Sequence, residues 1–502
     1  QTDHVKELNV SGWYEGLAGQ TADVRIAAVI CTYQRESYVY QNLKCLKRVL
    51  EQPEWGMKRH LKIYLVDNGR TLKDHPQICQ LIKEYPENIF LFENKNAGGA
   101  GGFTRGMLEA LKRKEENGLT HVLLMDDDAV FEPELFVRLY GFLSILKEPY
   151  KDLTVGGNLM REDFPYLQHA GGEVFRDFKI HNEQVLMDLR SYENCAQDFM
   201  CSPEVPQNIY SGWWCCCFSL NTVRKNNLPI PFFLHFDDIE YCLRNNRQGI
   251  VFLNGIGVWH KGFEWNFAGA NRYYDVRNSL ITTAIHQPYI SAFAVKKWVW
   301  RNMVTPFLEF RYEESDLAYH GFLDFCKGPD WLLGRDPDRL NQKVRRHFAL
   351  KPLDELQGHL TADEYTQVIQ QIDFCRKQTG IQQIRDVYSP TRRKGRFFKK
   401  LTWNGWFLPS KKEKGISVIS AVDVPYQAFR KQRMVLFEPS SGKALLVKRD
   451  YRELGKLLMK LLRVNRLVNR FYKKIAYEYR ERLKEITSAS AWEKYLGLDD
   501  YE

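Results

Sequence analysis

No stretch of the chain approaches the ~18 consecutive apolar residues of a membrane-spanning helix. The polar opening QTDHVKELNV reads as no signal peptide. There is no internal repeat of solenoid period and no low-complexity tract, so no repeat architecture is expected. A disulfide framework is also missing. The eleven cysteines are odd in number, and three adjoin as Cys215, Cys216 and Cys217. Such neighbours suit neither paired bridges nor four-ligand zinc spacing, so reduced thiols of a cytosolic enzyme are expected. What remains is an ordinary globular composition, 44% hydrophobic and 27% charged, and 502 residues imply two or three domains rather than one core. The net charge of +10 is concentrated in RRKGRFFKK (392–400), KKEK (411–414) and the last hundred residues. Clusters of that kind suit nucleic acid, anionic lipid, a polyanionic substrate or a plain solvated surface.

Short β-rich runs lie at 24–33, 61–69, 89–94 and 121–127, and helical patterns at 38–50, 76–85 and 104–117 separate them. This alternation predicts right-handed βαβ units and a mostly parallel sheet, with ligands beyond the carboxyl ends of the strands. Every unusual polar cluster follows such an end: TYQRE, DNG, NKNAGGAGG and DDD. They are expected to meet in one crevice. Beyond about residue 290 the texture becomes helical, with a segment such as TADEYTQVIQQIDFCRKQ (361–378), a hairpin over 433–450, and two helices over 451–463 and 466–487.

The stretch LLMDDDAVFEP (123–133) ends a buried strand in three aspartates. Like charges so close raise each other's pKa unless a cation or donors compensate. One Asp suffices to start the helix near Pro133; three invite a metal. Two oxygens from Asp126 and Asp128 with the His260 nitrogen of GVWHKGFEW suit Mn²⁺ or Mg²⁺. FFLHFDDIEYCLR (232–244) sets Asp237, Asp238 and Glu240 at another helix start. The glycines of NAGGAGGF (96–103) permit close backbone approach to a phosphate or sugar, or a tight turn. Neither a dinucleotide fingerprint nor a Walker lysine is present. Arg35 and the Asp67–Asn68–Gly69 run offer groups for a base or pyrophosphate, or turn chemistry. Trp213 and Trp214 are core residues or sugar platforms.

The ordered set TYQRE, VDNG, NAGGAGG, MDDD, GWW, FDDIE and WH resembles a family 2 glycosyltransferase of GT-A fold. More closely, the chain is similar to the polymerising galactofuranosyltransferases of mycobacterial galactan synthesis. The likeness continues through HAGGE (169–173), YYDVRN (273–278), DFCKGPDWL (324–332) and SAWEKYL (490–496). The resemblance implies an α/β fold, with a Rossmann-like nucleotide-sugar-binding domain over 24–290 and a mainly helical region over 291–502. Residues 1–23 stand where those enzymes carry a β-rich domain. It implies that Asp126, Asp128 and His260 hold Mn²⁺ or Mg²⁺ and that Asp238 is the catalytic base. Arg35, Asn68, Asn96, Asp127, Trp213 and Trp214 would bind the donor. His169, Glu173 and Asp237 would line the acceptor region. The implied reaction is inverting transfer of galactofuranose from UDP-galactofuranose to a lipid-linked glycan. The implied setting is a homo-oligomer held peripherally on the inner, cytoplasmic face of the membrane by anionic lipid, with no nucleic-acid partner. The basic-aromatic segment 392–409 is the expected membrane contact. Two readings stay open beside it: the same fold with another nucleotide-sugar donor (a UDP-hexopyranose or dTDP-rhamnose), and a non-catalytic glycan-binding protein.

Overall fold

A computed structural model describes residues 21–182, 184–196, 208–377, 380–388, 399, 401–410, 415–421 and 425–498. Most of the N-terminal segment and the basic runs 392–398 and 411–414 lie outside the described residues. Strands β1 (Ile26–Thr32), β2 (Leu61–Asp67), β3 (Ile89–Glu93) and β4 (His121–Asp126) pair in parallel in the order β3-β2-β1-β4. Alternate residues of a strand face opposite sides of a sheet. Accordingly Ala27 and Val29 of β1 enter one core with the helix Gly98–Lys112. Ile26, Ala28 and Ile30 enter a second core with the helices Glu36–Glu51, Pro76–Glu84 and Glu134–Ser144. With both faces covered, the strands read as continuous apolar runs.

Eight further strands follow: β5 (Thr154–Arg161), β6 (Leu167–Ala170), β7 (Glu173–Arg176), β8 (Lys179–His181), β9 (Met187–Asp188), β10 (Ile209–Tyr210), β11 (Cys215–Ser219) and β12 (Ile250–His260). Here the sheet becomes mixed, since β11 runs antiparallel to both β4 and β5 while β12 runs parallel to β5. The three adjacent cysteines are buried in the middle of this sheet on β11. All ten described cysteines are free thiols. Strands β7, β8 and β10 make a small separate sheet.

The C-terminal region is helical, as expected, around a three-stranded sheet of β13 (Ser417–Ser420), β14 (Arg433–Glu438) and β15 (Lys443–Lys448). The expected hairpin is β14–β15, and β13 adds a parallel strand on β14 that the sequence pattern did not announce. One correction concerns the end of the chain. The two helices expected over 451–463 and 466–487 are mainly one, Tyr451–Glu481, followed by a short turn at Leu483–Ile486. Neither Gly nor Pro lies near residue 464, and Leu457, Leu461, Val464, Val468, Tyr472, Ile475 and Tyr479 keep one buried stripe at three- and four-residue spacing. The helix Ala489–Leu496 then returns to the first domain, where Trp492 Nε1 donates to the Pro229 carbonyl at 2.7 Å and Leu228 N–H to the Thr487 carbonyl at 2.9 Å. Among the described residues no helix is long and apolar enough to cross a membrane. Of the aromatics in 392–409, Trp406 is buried against Phe307, whereas Phe407 is exposed.

Candidate active site

The carboxyl ends of β1, β2 and β4 are level, with Thr32 opposite Asp67 and Cys31 opposite Asp126. This brings the predicted polar clusters together. Arg35, just past β1, donates through Nη1 to Asp127 Oδ1 at 3.0 Å and to Asp128 Oδ2 at 2.5 Å. Asp127 is turned inward: its other oxygen accepts from Thr32 Oγ1 at 2.7 Å, and its carbonyl accepts from Asn42 Nδ2 at 2.8 Å. Asp126 and Asp128 are only half-buried, on the crevice side. His260, the last residue of β12, lies with Nε2 3.4 Å from Asp128 Oδ1 and with Nδ1 2.7 Å from the Lys261 carbonyl.

The three aspartates do not titrate alike. Burial, then the Asp128 charge, pushes Asp126 up to about 7. Burial acts the same way on Asp128, but the His260 and Arg35 charges outweigh it and hold that carboxyl down at about 2. The imidazole geometry tests whether a cation suits the place. A carbonyl facing Nδ1 requires N–H there, which leaves the Nε2 lone pair toward a carboxylate oxygen. Two acceptors facing each other call for a proton or a cation between them, and hard oxygen plus imidazole donors fit Mn²⁺ or Mg²⁺. Among the described residues, however, no three His, Cys, Asp or Glu side chains converge closely enough to form a finished metal cluster. Arg35 supplies the positive charge in this arrangement.

The second carboxylate group sits at the start of the helix Asp237–Asn245. Asp238 Oδ1 accepts from Ile239 N–H at 2.7 Å, while Asp237 is buried with its Oδ2 3.9 Å from where a Gly99 Cβ would stand. Burial pushes Asp237 up to about 6, and burial together with the Asp237 charge pushes Asp238 well above the usual carboxylate range. Asp237 also adds to the rise at Asp126, so its charge acts across the space between the two acidic groups. Glu240 belongs elsewhere: fully buried and paired with Arg244 and His286, it anchors the helix from beneath.

What holds this helix start in place is a strained loop. Phe233, His235 and Phe236 all have left-handed backbone, with φ of 75°, 63° and 71°, which costs a residue other than glycine roughly 1–2 kcal/mol each. The loop persists because Asn278, buried in the helix Asn271–His286, donates to the carbonyls of Phe232, Leu234 and His235 at 3.3, 2.7 and 2.9 Å. Arg277 Nη2 reinforces Phe232 at 2.5 Å, and Asp275 Oδ1 sits 2.6 Å from His235 Nδ1. Sequence reasoning missed these residues. The signal was present in YYDVRN, where Asp, Arg and Asn follow one another on a helix whose neighbours are buried.

The glycine run serves packing. Gly98 has φ of +70°, and a Cβ there would lie 2.0 Å from the Phe233 carbonyl oxygen; one on Gly102 would lie 2.0 Å from Cys31 Sγ. The helix therefore starts inside the run, at Gly98, and lies close against β1. Asn68 is occupied within the protein, donating to the Gly98 carbonyl at 3.0 Å and accepting from Asn94 at 2.8 Å. Asn96 donates to Asp338 at 2.8 Å. Between these turns and the helix Pro337–His347 lies a cleft of about 470 Å³ that also admits Arg70, Arg339 and Gln342. A nucleotide-sized opening is thus walled partly by the C-terminal region, which the sequence pattern did not reveal.

The two tryptophans face opposite sides of a sheet covered on both. Trp213 is buried against Phe103 and Tyr241, and Trp214 donates from Nε1 to the Gly157 carbonyl at 2.8 Å. Glu173 accepts from Tyr210 OH at 2.6 Å and from Asn182 at 3.2 Å, and its charge contributes to the rise at Asp238. His169 meets the edge of the Phe263 ring at 5.6 Å.

A cleft of about 470 Å³ and two acidic clusters lie where ligands bind in such sheets, beyond the carboxyl ends of the strands. Residues 24–268 match the glycosyltransferase-like family 2, and that segment is a domain of this family with the GT-A fold. The chain is similar to galactofuranosyltransferase GlfT2 of Mycobacterium tuberculosis, 26% identical over 302 residues that cover 57% of this chain and 45% of that protein. GlfT2 of Mycolicibacterium smegmatis is 26% identical over 242 residues, covering 45% and 36%. The chain therefore spans less than half the length of the curated relatives it matches. A solved mannosyltransferase from Pyrobaculum calidifontis, in complex with GDP-Man and Mn²⁺, aligns with 67% of this chain and 88% of its own at 11% identity and a TM-score of 0.35, too loosely to carry weight.

Proposed function

We propose that this glycosyltransferase is a metal-dependent inverting enzyme that transfers galactofuranose from UDP-galactofuranose to a hydroxyl of a lipid-linked glycan acceptor. The observation that supports the reading is the contact of His260 with Asp128 at 3.4 Å, beside Asp126, whose carboxyl also feels the charge of Asp237. A divalent ion held by Asp126, Asp128 and His260 supplies, when bound, positive charge against the leaving diphosphate. Asp238 takes the proton from the acceptor hydroxyl as it attacks the anomeric carbon, since a neutral alcohol is a weak nucleophile. The raised pKa of Asp238 makes it a stronger base than an exposed carboxylate once ionised. Arg35 orients the diphosphate from the rim, and the cleft between Asn68, Asn96 and Arg339 takes the nucleoside. The likeness to the mycobacterial enzymes supports galactofuranose as the sugar.

Attachment to anionic lipid on the cytoplasmic face belongs to the same proposal, supported by the basic-aromatic composition of 392–409. The deciding experiment offers purified protein UDP-galactofuranose, UDP-glucose, UDP-galactopyranose and dTDP-rhamnose with a lipid-linked acceptor, followed by linkage analysis of the product. Turnover of UDP-galactofuranose alone supports the reading. Preference for another donor replaces the sugar and keeps the mechanism, and loss of every turnover points to a glycan-binding protein.

A further inference from the structure

A second cavity, of about 590 Å³, opens beside His235, two residues before Asp237. It shares no residue with the nucleotide cleft. Its walls come from three distant parts of the chain: the loop after β12 from Phe263 to Asn271, residues 345–350, and the β14–β15 turn through Glu438, Ser441 and Lys443. The size lies within the roughly 300–1,000 Å³ of small-ligand sites.

The cavity is built rather than incidental. Glu438 Oε1 accepts from Phe267 N–H at 3.0 Å, Ser440 N–H donates to the Trp265 carbonyl at 3.4 Å, and Ser440 Oγ is hydrogen-bonded to Asn266. The turn of the C-terminal hairpin is thus clamped to the loop that follows His260. Charges of both signs line it: Arg345 and Lys443 with Glu438, and Asp275 paired to His235. Both carboxylates already have partners, in His235 and in Phe267 N–H. Beyond these charges the lining is largely uncharged, with Asn266, Asn271, Ser441, Phe263, Phe267 and Phe348. It offers amides, hydroxyls and aromatic carbon, the mixture that holds uncharged, hydroxyl-rich molecules.

Phe263 joins this cavity to the reaction centre. Its ring stacks on His260 at a centroid distance of 4.9 Å, and its side chain remains 47% exposed. With Trp213 buried, Phe263 is an exposed aromatic that both stacks on His260 and lines the cavity.

We propose that this cavity is the subsite for the acceptor's neutral oligosaccharide, with Phe263 as its stacking platform and the β14–β15 turn as its outer wall. The assignment rests on the transferase reading, and its occupant is the chain that receives the sugar rather than the donor. It gives the small C-terminal sheet a role in choosing the acceptor.

Saturation-transfer NMR on the full chain tests it, with neutral di- to tetrasaccharides ending in galactofuranose as probes. Wild type is expected to bind, and Phe263→Ala and Ser441→Trp to weaken binding by about tenfold or more. Ser441 is exposed on a turn, so its variant keeps the wild-type melting temperature and serves where Phe263→Ala disturbs folding. Equal binding by wild type and Ser441→Trp overturns the proposal, as does the absence of any saccharide binding by wild type. Saccharide binding that Ser441→Trp removes, in a protein that does not turn over UDP-galactofuranose, leaves the subsite standing and refutes the donor.

Discussion

Replacing Asn278 by Ala is expected to disable the enzyme without touching the crevice. Its amide serves three carbonyls, of which Phe232 keeps Arg277 as a second donor. The variant therefore orphans two, Leu234 and His235. A buried carbonyl without a donor costs about 1–3 kcal/mol. Leu234 and His235 are partly exposed, so water offsets some of this and the loop loses about 1–3 kcal/mol of support in all. The three left-handed residues before Asp237 already hold strain of comparable size. Relaxing them releases it, so the loop rearranges before the domain unfolds and the helix start carrying Asp237 and Asp238 moves. A displaced base weakens transition-state stabilisation by about 2–4 kcal/mol, or roughly 30- to 1,000-fold in kcat. Donor KM should change by less than about threefold, because the cleft proposed for the nucleoside is lined by other residues. Asn278→Asp keeps the shape but turns donors into acceptors facing carbonyls, and should be at least as damaging. The assay is steady-state transfer with both substrates varied, alongside thermal melting. A kcat within about threefold of wild type in both variants refutes the idea that this amide positions the base.

Asp238→Asn keeps the shape and removes the basicity; a loss of about 3–5 kcal/mol in transition-state stabilisation is expected by the same kinetics, with donor binding measured calorimetrically unchanged. EDTA should abolish transfer and Mn²⁺ or Mg²⁺ restore it, and Asp128→Ala should remove activity while circular dichroism stays native; full activity in excess chelator refutes the metal assignment. The kcat–pH profile should rise through an acid limb near pH 6 or above, because burial and mutual repulsion raise the Asp237–Asp238 pair. Asp237→Asn removes the like charge and should shift that limb downward. For stability the sign is opposite: the folded pair holds protons that the unfolded chain releases above about pH 4, so its contribution is greatest at acid pH and fades as pH rises through 6. Finally, flotation with anionic liposomes should recover the protein at low salt and not at high salt; no recovery at low salt removes the membrane proposal.

Much of this was legible because it depends on local pattern. Short apolar runs buried on both faces mark β1 to β4, and polar residues just past each strand mark the crevice. What escaped is long-range. Asn278 and Arg277 act on a loop more than forty positions away in sequence, and only the fold brings them to the Phe232 carbonyl. Asp338 and Arg339 enter the cleft beside Asn68 and Asn96 from a helix that looks merely solvated by composition. Trp213 had two readings, and both of its neighbours in space, Phe103 and Tyr241, lie on helices whose packing the sequence does not display. Asn68 similarly satisfies its amide inside the turn.

The return of the last helix onto the first domain has a consequence for how the protein is made. Trp492 and the Pro229 carbonyl it binds are 263 positions apart. At ribosomal speeds of about 5–20 residues per second, the catalytic domain waits on the order of 10–50 s for the side chain that closes its flank. During that interval the apolar run Leu228–Phe233, which leads directly into the strained loop before Asp237, lacks its contacts with the C-terminal helices. A message truncated after the family 2 domain should yield a chain that aggregates or is degraded rather than a smaller working enzyme, and holding chaperones should associate with the nascent chain through this flank until translation reaches Trp492.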